Sequence, residues 1–244
     1  MFFHLQNCVI VYIFIIQYAE KIKIQGGIVN ILGQIMIFGV IAVVGYVIGS
    51  IPFGFIIGKL KGIDIRTVGS GNIGATNVTW AVSPLAGKIC FALDFCKGLL
   101  PVLLLKYLVG KGIIAAPAFG LGELAVIFAV VLGHMFTCFL GFKGGKGIAT
   151  AVGGVAAIAP LPALAAFLTW LVIFKVSGYV SLGSILAAVS LPVWTVVLAL
   201  LKVASFPGWA VVIFFVLLAA VATWTHRSNI KRLIDGTENS FKKK

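Results

Sequence analysis

Charge is scarce in this chain, and acidic charge is scarcer still. Only 10% of the residues are charged, and six of them are Asp or Glu. Soluble domains run near half apolar and about a quarter charged; here 61% is hydrophobic, which excludes an ordinary soluble domain. Cysteine is also sparse. Cys8, Cys90, Cys96 and Cys138 all lie in apolar stretches without CxxC spacing, so they read as packing residues and support neither a disulfide framework nor a metal site. The three histidines, His4, His134 and His226, are too dispersed for a metal centre, and no acid stands five positions after any of them. HExxH and GxSxG are both missing. No basic residue precedes the N-terminal apolar run and no small-residue cleavage site follows it, which argues against a signal peptide. No metal and no cofactor is expected.

What is present is apolar length. Mean hydropathy is +1.17, and the apolar runs are too long for buried strands. The predicted class is an all-α integral membrane protein. Spans are expected at about 32–58, 85–108, 119–140, 148–158, 162–174, 181–201 and 206–224, making a seven-helix transmembrane bundle over residues 33–224. Pro160 and Pro162 divide the fourth from the fifth, because proline removes a donor and disfavours helix in its predecessor. The fourth is short. At 1.5 Å per residue it covers about 16 Å, half a hydrocarbon core. Residues 1–32 read as an N-terminal hydrophobic extension with a marginal span over 1–19, and Met36 is an alternative start.

Net charge is +13. With the loop 59–79 placed in the cytoplasm, Lys59, Lys61, Arg66, Lys143, Lys146, Lys175, Arg227, Lys231, Arg232 and Lys242–Lys244 all fall on that side. Lys106, Lys111 and Lys202 oppose them, joined by Lys21 and Lys23 if the first segment spans. This is the direction of the positive-inside rule. The basic excess therefore marks topology and suits anionic lipid heads and substrates, and no nucleic-acid partner is expected.

Four polar stretches gather on that face. Gly69–Asn77 fits GxGxxG, but no βαβ context surrounds it, so dinucleotide binding is rejected; it reads as a tight turn offering Ser70, Asn72, Thr76 and Asn77. The second is Phe142-Lys143-Gly144-Gly145-Lys146-Gly147, with His134 eight residues upstream. Glycines let backbone amides approach a ligand, and with lysines they suit a phosphate. It is not a Walker A loop, because position 140 is Leu and position 147 is Gly. The third, 178–184, places Ser181 and Ser184 on one face of a helix start. The fourth, 226–238, places His226 and Asn229 on one face. Each has a plainer reading, as a capped turn, a topology loop, an N-cap or a lipid-facing basic segment. Within the spans, Lys88, Asp94, Lys97 and Glu123 each need a partner or water. Asp94 and Lys97, three apart, are read as a structural ion pair.

SGNIGATN at 70–77, GHMFTCFLGFKGGKGIAT at 133–150, YVSLGS at 179–184 and HRSNIKRLIDGTE at 226–238 resemble, in order and spacing, the membrane glycerol-3-phosphate acyltransferases of the PlsY family. The resemblance covers about residues 36–238. It implies a bacterial plasma (inner) membrane enzyme, multi-pass, with a cytoplasmic-facing site in one domain over residues 33–238, followed by a basic tail, 239–244. It implies transfer of an acyl group from acyl phosphate to the 1-hydroxyl of glycerol 3-phosphate, giving lysophosphatidate and phosphate. A peripheral transacylase would make the acyl phosphate. Carried over by motif, Lys146, Ser70 and His226 would be catalytic. Asn72, Thr76, Asn77, Lys143, Gly144, Gly145, Ser181, Ser184, Asn229 and His134 would bind substrate. One departure stands out: three residues after Asn77 the family commonly has arginine, and here Trp80 stands. Arg66, Lys88 and Lys143 are the candidate replacements. A transporter or channel for phosphate-containing anions is the alternative reading, against which stand the lack of an internal repeat and the one-sided polar motifs. A non-enzymatic lipid-binding scaffold is a second.

Overall fold

The computed structural model describes residues 28–114 and 121–242. The marginal span over 1–19 and the residues to 27 lie outside the described residues, as do Lys243 and Lys244. Among the described residues every element is helical: α1 (Ile28–Ser50), α2 (Phe53–Leu60), α3 (Ala75–Ala81), α4 (Pro84–Gly110), α5 (Leu121–Met135), a 3₁₀ turn (Cys138–Leu140), α6 (Ile148–Ile158), α7 (Pro160–Ser177), α8 (Val180–Leu200), α9 (Trp209–Thr225) and α10 (Arg227–Ile234).

Helices occupy all seven expected positions. Met36–Leu60, Leu121–Leu140, Pro160–Ser177 and Val180–Leu200 are long and apolar enough to cross a bilayer, and the pair α9–α10, bent by 58°, makes a fifth if read as one span. α4 carries charges within its length, and α6 has only 11 residues. Two boundaries differ from expectation. The first span breaks between Ser50 and Phe53 rather than running unbroken to Gly58, because Pro52 lacks the amide that would continue the ladder. The 59–79 segment is not all loop, since Gly74 starts the helix α3 within it. Pro160 and Pro162 do mark a break, but it falls at Ala159, and Pro160 opens α7 where its missing donor costs nothing.

α1 packs on α5, α4 on α6, α7 on α8 and α8 on α9. Where α1 and α5 cross, Gly49 lies against the Val130 backbone and Gly133 against Tyr46 and Ser50. A Cβ on either would overlap main-chain atoms, so only glycine permits this spacing, the small-residue device of membrane helix pairs. The short α6 ends inside the bundle, and Lys106 Nζ of α4 donates to Ala157 O at 2.9 Å. A cation at a helix C-terminus meets both the orphan carbonyls and the negative end of the dipole. That is how a helix of half the bilayer thickness can stop there.

Of the four charges within expected spans, Lys88 is exposed near the start of α4, and Glu123 lies in the first turn of α5. Only Asp94 and Lys97 are buried, at 2% and 5% exposure. Their charged atoms are 2.8 Å apart, as the spacing predicts. Lys97 Nζ also donates to Ile51 O at 2.9 Å, where Pro52 has opened the helix. Removing one partner leaves the other charge buried and unmatched, which costs about 3–5 kcal/mol. Lys97→Met is expected to lose that much stability, whereas Asp94→Leu/Lys97→Met together should recover most of it. Thermal unfolding in detergent checks this, and equal losses in the single and double variants would contradict it.

Candidate active site

The four polar stretches meet at one end of the bundle, but they do not all contribute what their residue types suggest. The turn before α3 is built around Asn77. Its amide group donates to Ile65 O (2.8 Å) and Val68 O (3.1 Å), while its Oδ1 accepts from Ser70 N–H (3.0 Å). Asn77 is buried and its donors are committed to backbone, so it scaffolds the turn instead of reaching a ligand. Asn72 Oδ1 accepts from Gly74 N–H at 2.8 Å, which closes an Asx turn ahead of the helix. Asn72 also lines the cleft described below. Ser70 and Thr76 are exposed on the same turn.

The glycine-lysine loop folds back onto the end of α5. Gly144 N–H donates to Met135 O and Gly145 N–H to His134 O, both at 3.0 Å. Lys143 N–H donates to Leu140 O at 3.3 Å. These three amides are therefore engaged with backbone carbonyls, although Gly144 and Gly145 both line the cleft described below. The glycines serve close approach, because a Cβ on Gly145 would overlap the His134 imidazole and one on Gly144 the His134 carbonyl. His134, expected to bind substrate, is 5% exposed beneath that turn. Its Nδ1 lies 3.6 Å from Asp94 Oδ1 and 3.4 Å from Thr150 Oγ1. It links the loop to the buried ion pair. Lys143 is exposed.

Lys146 is the loop residue that turns inward. Its Nζ donates to Asn229 Oδ1 of α10. Asn229 Nδ2 donates to Glu238 Oε1 at 2.6 Å, Ser181 Oγ donates to the same oxygen at 2.7 Å, and Arg232 Nε donates to Glu238 Oε2 at 2.7 Å. One carboxylate thus joins α8, α10 and, through Asn229, the loop. Burial pushes the Glu238 carboxyl up, but the hydrogen bonds from Asn229, Ser181 and Arg232 outweigh it and hold the group below its ordinary range. Burial pushes the Lys146 ammonium down to about 8, against the pull of Glu238. The two expected serine donors are both committed: Ser181 to Glu238, and Ser184 to Val180 O of its own helix at 2.9 Å.

His226 closes α9. Its Nδ1 lies 2.7 Å from Ala222 O, a carbonyl that can only accept, so Nδ1 carries the proton and Nε2 is left as an acceptor. Burial, with the nearby Lys146 charge, pushes the imidazole down to about 4, so it is neutral at physiological pH.

Between these walls lies a cleft of about 300 Å³ lined by Asn72, Gly144, Gly145, Lys146, Arg227 and Ser228 among others. Arg227 and Ser228 were not singled out from sequence, nor was Glu238. A carboxylate is the last group a search for phosphate donors selects, and Arg227 was indistinguishable from any juxtamembrane cation. Of the candidate replacements for an arginine at Trp80, Arg66 is held bidentate by Asp64 (2.9 and 2.7 Å) and lies over Phe55. Neither Lys88 nor Lys143 lines the cleft. The cations that do are Lys146 and Arg227. Trp80 itself packs against Phe241, ring centroids 4.4 Å apart and planes tilted by 39°.

Residues 39–236 match the profile of the family described as glycerol-3-phosphate acyltransferase. The chain belongs to the glycerol-3-phosphate acyltransferase family. A Desulforamulus reducens member of that family is 48% identical over 194 residues, covering 79% of this chain and 90% of the relative. The crystal structure of PlsY, an integral membrane glycerol 3-phosphate acyltransferase, in its glycerol 3-phosphate form is 44% identical, with a TM-score of 0.69 over 83% of this chain and 94% of that one. The lysophosphatidic acid form of PlsY superposes with a TM-score of 0.67 at 43% identity, with the same coverage. Fold class and family thus stand as the motifs implied.

Asn77→Ala would leave the buried Ile65 O without its partner, at roughly 1–3 kcal/mol, and would release Val68 O and Ser70 N–H to water on the exposed side of the turn. This family member is therefore expected to lose about 1–3 kcal/mol of stability with the variant, read as a lowered thermal midpoint in detergent. An unchanged midpoint would show that the turn does not depend on that side chain.

Proposed function

We propose that this chain transfers a fatty acyl group from acyl phosphate to the 1-hydroxyl of sn-glycerol 3-phosphate, yielding lysophosphatidate and phosphate. We place the cleft at the cytoplasmic face of a bacterial plasma membrane. The observation that carries the reading is Lys146, a partly desolvated ammonium held by Asn229 at the cleft formed with the His226–Asn229 segment. Family membership supplies the reaction class. The clustering of basic residues at the polar end supports the orientation. A peripheral transacylase would supply the acyl phosphate, which needs no cofactor and no covalent enzyme intermediate because phosphate is already a good leaving group.

In this reading the site holds two anions together and stabilises the charge that develops on the carbonyl and the departing phosphate. Lys146, with N–H groups to spare after its bond to Asn229, faces one phosphate. Arg227 and Asn72 line the same cleft, and Ser70 and Thr76 are exposed on the turn that carries Asn72. The hydroxyl oxygen attacks the acyl carbon, the carbon–oxygen bond to phosphate breaks, and the hydroxyl proton passes to the departing phosphate. His226, neutral and with only Nε2 open, accepts a hydrogen bond from glycerol and orients it; its depressed affinity for protons makes it a weak base.

Purified protein incubated with acyl phosphate and labelled glycerol 3-phosphate is expected to form lysophosphatidate. No product under conditions where a known acyltransferase works would overturn the reading. Since Lys146 is charged below about 8 and neutral above, kcat/KM for glycerol 3-phosphate should fall as pH rises through that region. Lys146→Arg should move that limb upward and Lys146→Met should cut kcat/KM by about a hundredfold or more. A pH limb that survives in Lys146→Met would assign it to another group. His226→Gln, which can still accept a hydrogen bond, should keep kcat within about tenfold. Loss of several thousandfold would make His226 the base.

A further inference from the structure

Glu238 organises the cleft, yet it lies beyond the last helix, on a segment with no regular structure of its own. The turn that ends α10 brings the chain only as far as Glu238: Thr237 N–H and Glu238 N–H both donate to Arg232 O, at 2.8 and 3.1 Å. Past that point something else must hold the strand down, and the structure shows what does. Phe241 N–H donates to Gly178 O, in the turn between α7 and α8, at 2.9 Å. The Phe241 ring packs against Trp80 of α3 at 4.4 Å, tilted by 39°, and meets Phe174 of α7 edge-on at 5.7 Å. Lys242 Nζ donates to Val176 O. Segment 237–242 therefore runs as a strap across the polar end, touching α3, α7 and the α7–α8 turn while its carboxylate reaches Ser181, Asn229 and Arg232. Phe241 and Lys242, in the expected basic tail, are docked.

We propose that Trp80 and Phe241 form an aromatic latch that fixes this strap and so positions Glu238, and through Glu238 the Asn229–Lys146 pair. Both are positioning residues; neither lines the cleft. The physical reason is entropic. A carboxylate on an unanchored terminal segment would have to be ordered at each encounter with substrate, and anchoring it on both sides removes that cost beforehand. The latch rests on the acyltransferase reading for its kinetic consequence but not for its structural one. It also gives Trp80 a function, as the aromatic partner of Phe241.

The test uses the full-length protein in detergent with two readouts. The first needs no activity. Trypsin cleavage after Arg232, followed by intact mass, should be about threefold to tenfold faster in Phe241→Ala and in Trp80→Ala than in the unaltered protein, and restored in Phe241→Tyr and Trp80→Phe, which keep a ring at each place. The second is steady-state kinetics. Each alanine variant should lower kcat/KM for glycerol 3-phosphate by about threefold to tenfold, mostly through KM, with the double variant no worse than the worse single one. The ring-keeping variants should stay within about twofold of the unaltered protein. Unchanged cleavage in the alanine variants, or losses that multiply in the double variant, would overturn the latch. If the unaltered protein makes no lysophosphatidate, the reaction reading fails while the cleavage result still decides the latch. If cleavage accelerates and kinetics stay unchanged, the strap is latched but does not position the site, and the proposal is overturned.

Discussion

The hydrogen bond from Lys146 to Asn229 is the contact on which the polar end of this bundle depends. It joins residues 83 positions apart, from a loop after α5 and from the last helix. A lysine in a membrane protein normally extends toward water or headgroups. This one is turned inward, and the geometry around it explains how. The loop is drawn down onto His134 by two amides and by two glycines that lack the Cβ atoms that would prevent it. On the other side Asn229 is oriented by Glu238, which Ser181 and Arg232 hold in turn. Lys146 is thus gripped between two frameworks, each tied to a different part of the bundle.

Beneath the site a second polar layer does a different job. Asp94 pairs with Lys97 and lies beside His134, so the helix end that carries the loop is tied to α4 within the apolar interior. Isolated charges at that depth would cost about 2.5–3.5 kcal/mol each. Together with the Ile51 carbonyl released by Pro52, they satisfy one another. The bent first span, the ion pair and the glycine loop are therefore parts of one arrangement, running from the membrane interior to the cleft floor.

Much of this was readable from residues alone. Helix positions followed from apolar length interrupted by proline, and the Asp94–Lys97 pair followed from helical spacing. The one-sided collection of motifs followed from counting crossings. What failed to show was which polar atoms are already engaged. Asn77, Gly144, Gly145, Ser181 and Ser184 have the chemistry of phosphate ligands, yet their donors close turns, cap helices or hold Glu238. Local sequence records a donor's type but not its partner, and the partners here lie up to 57 residues away. Glu238 escaped notice for the complementary reason: its partners, one hydroxyl, one amide and one guanidinium, are brought together only by folding. Trp80 looked like the loss of a phosphate clamp because its aromatic partner, Phe241, lies at the far end of the chain.

The central claim is that the inward-turned ammonium of Lys146 receives the phosphate of glycerol 3-phosphate. Calorimetric titration of glycerol 3-phosphate into the purified protein at pH 7, with no acyl donor present, tests it without reference to catalysis. The account predicts saturable binding by the unaltered protein that weakens above pH 8 and is abolished in Lys146→Met. Binding of equal strength in Lys146→Met would contradict it.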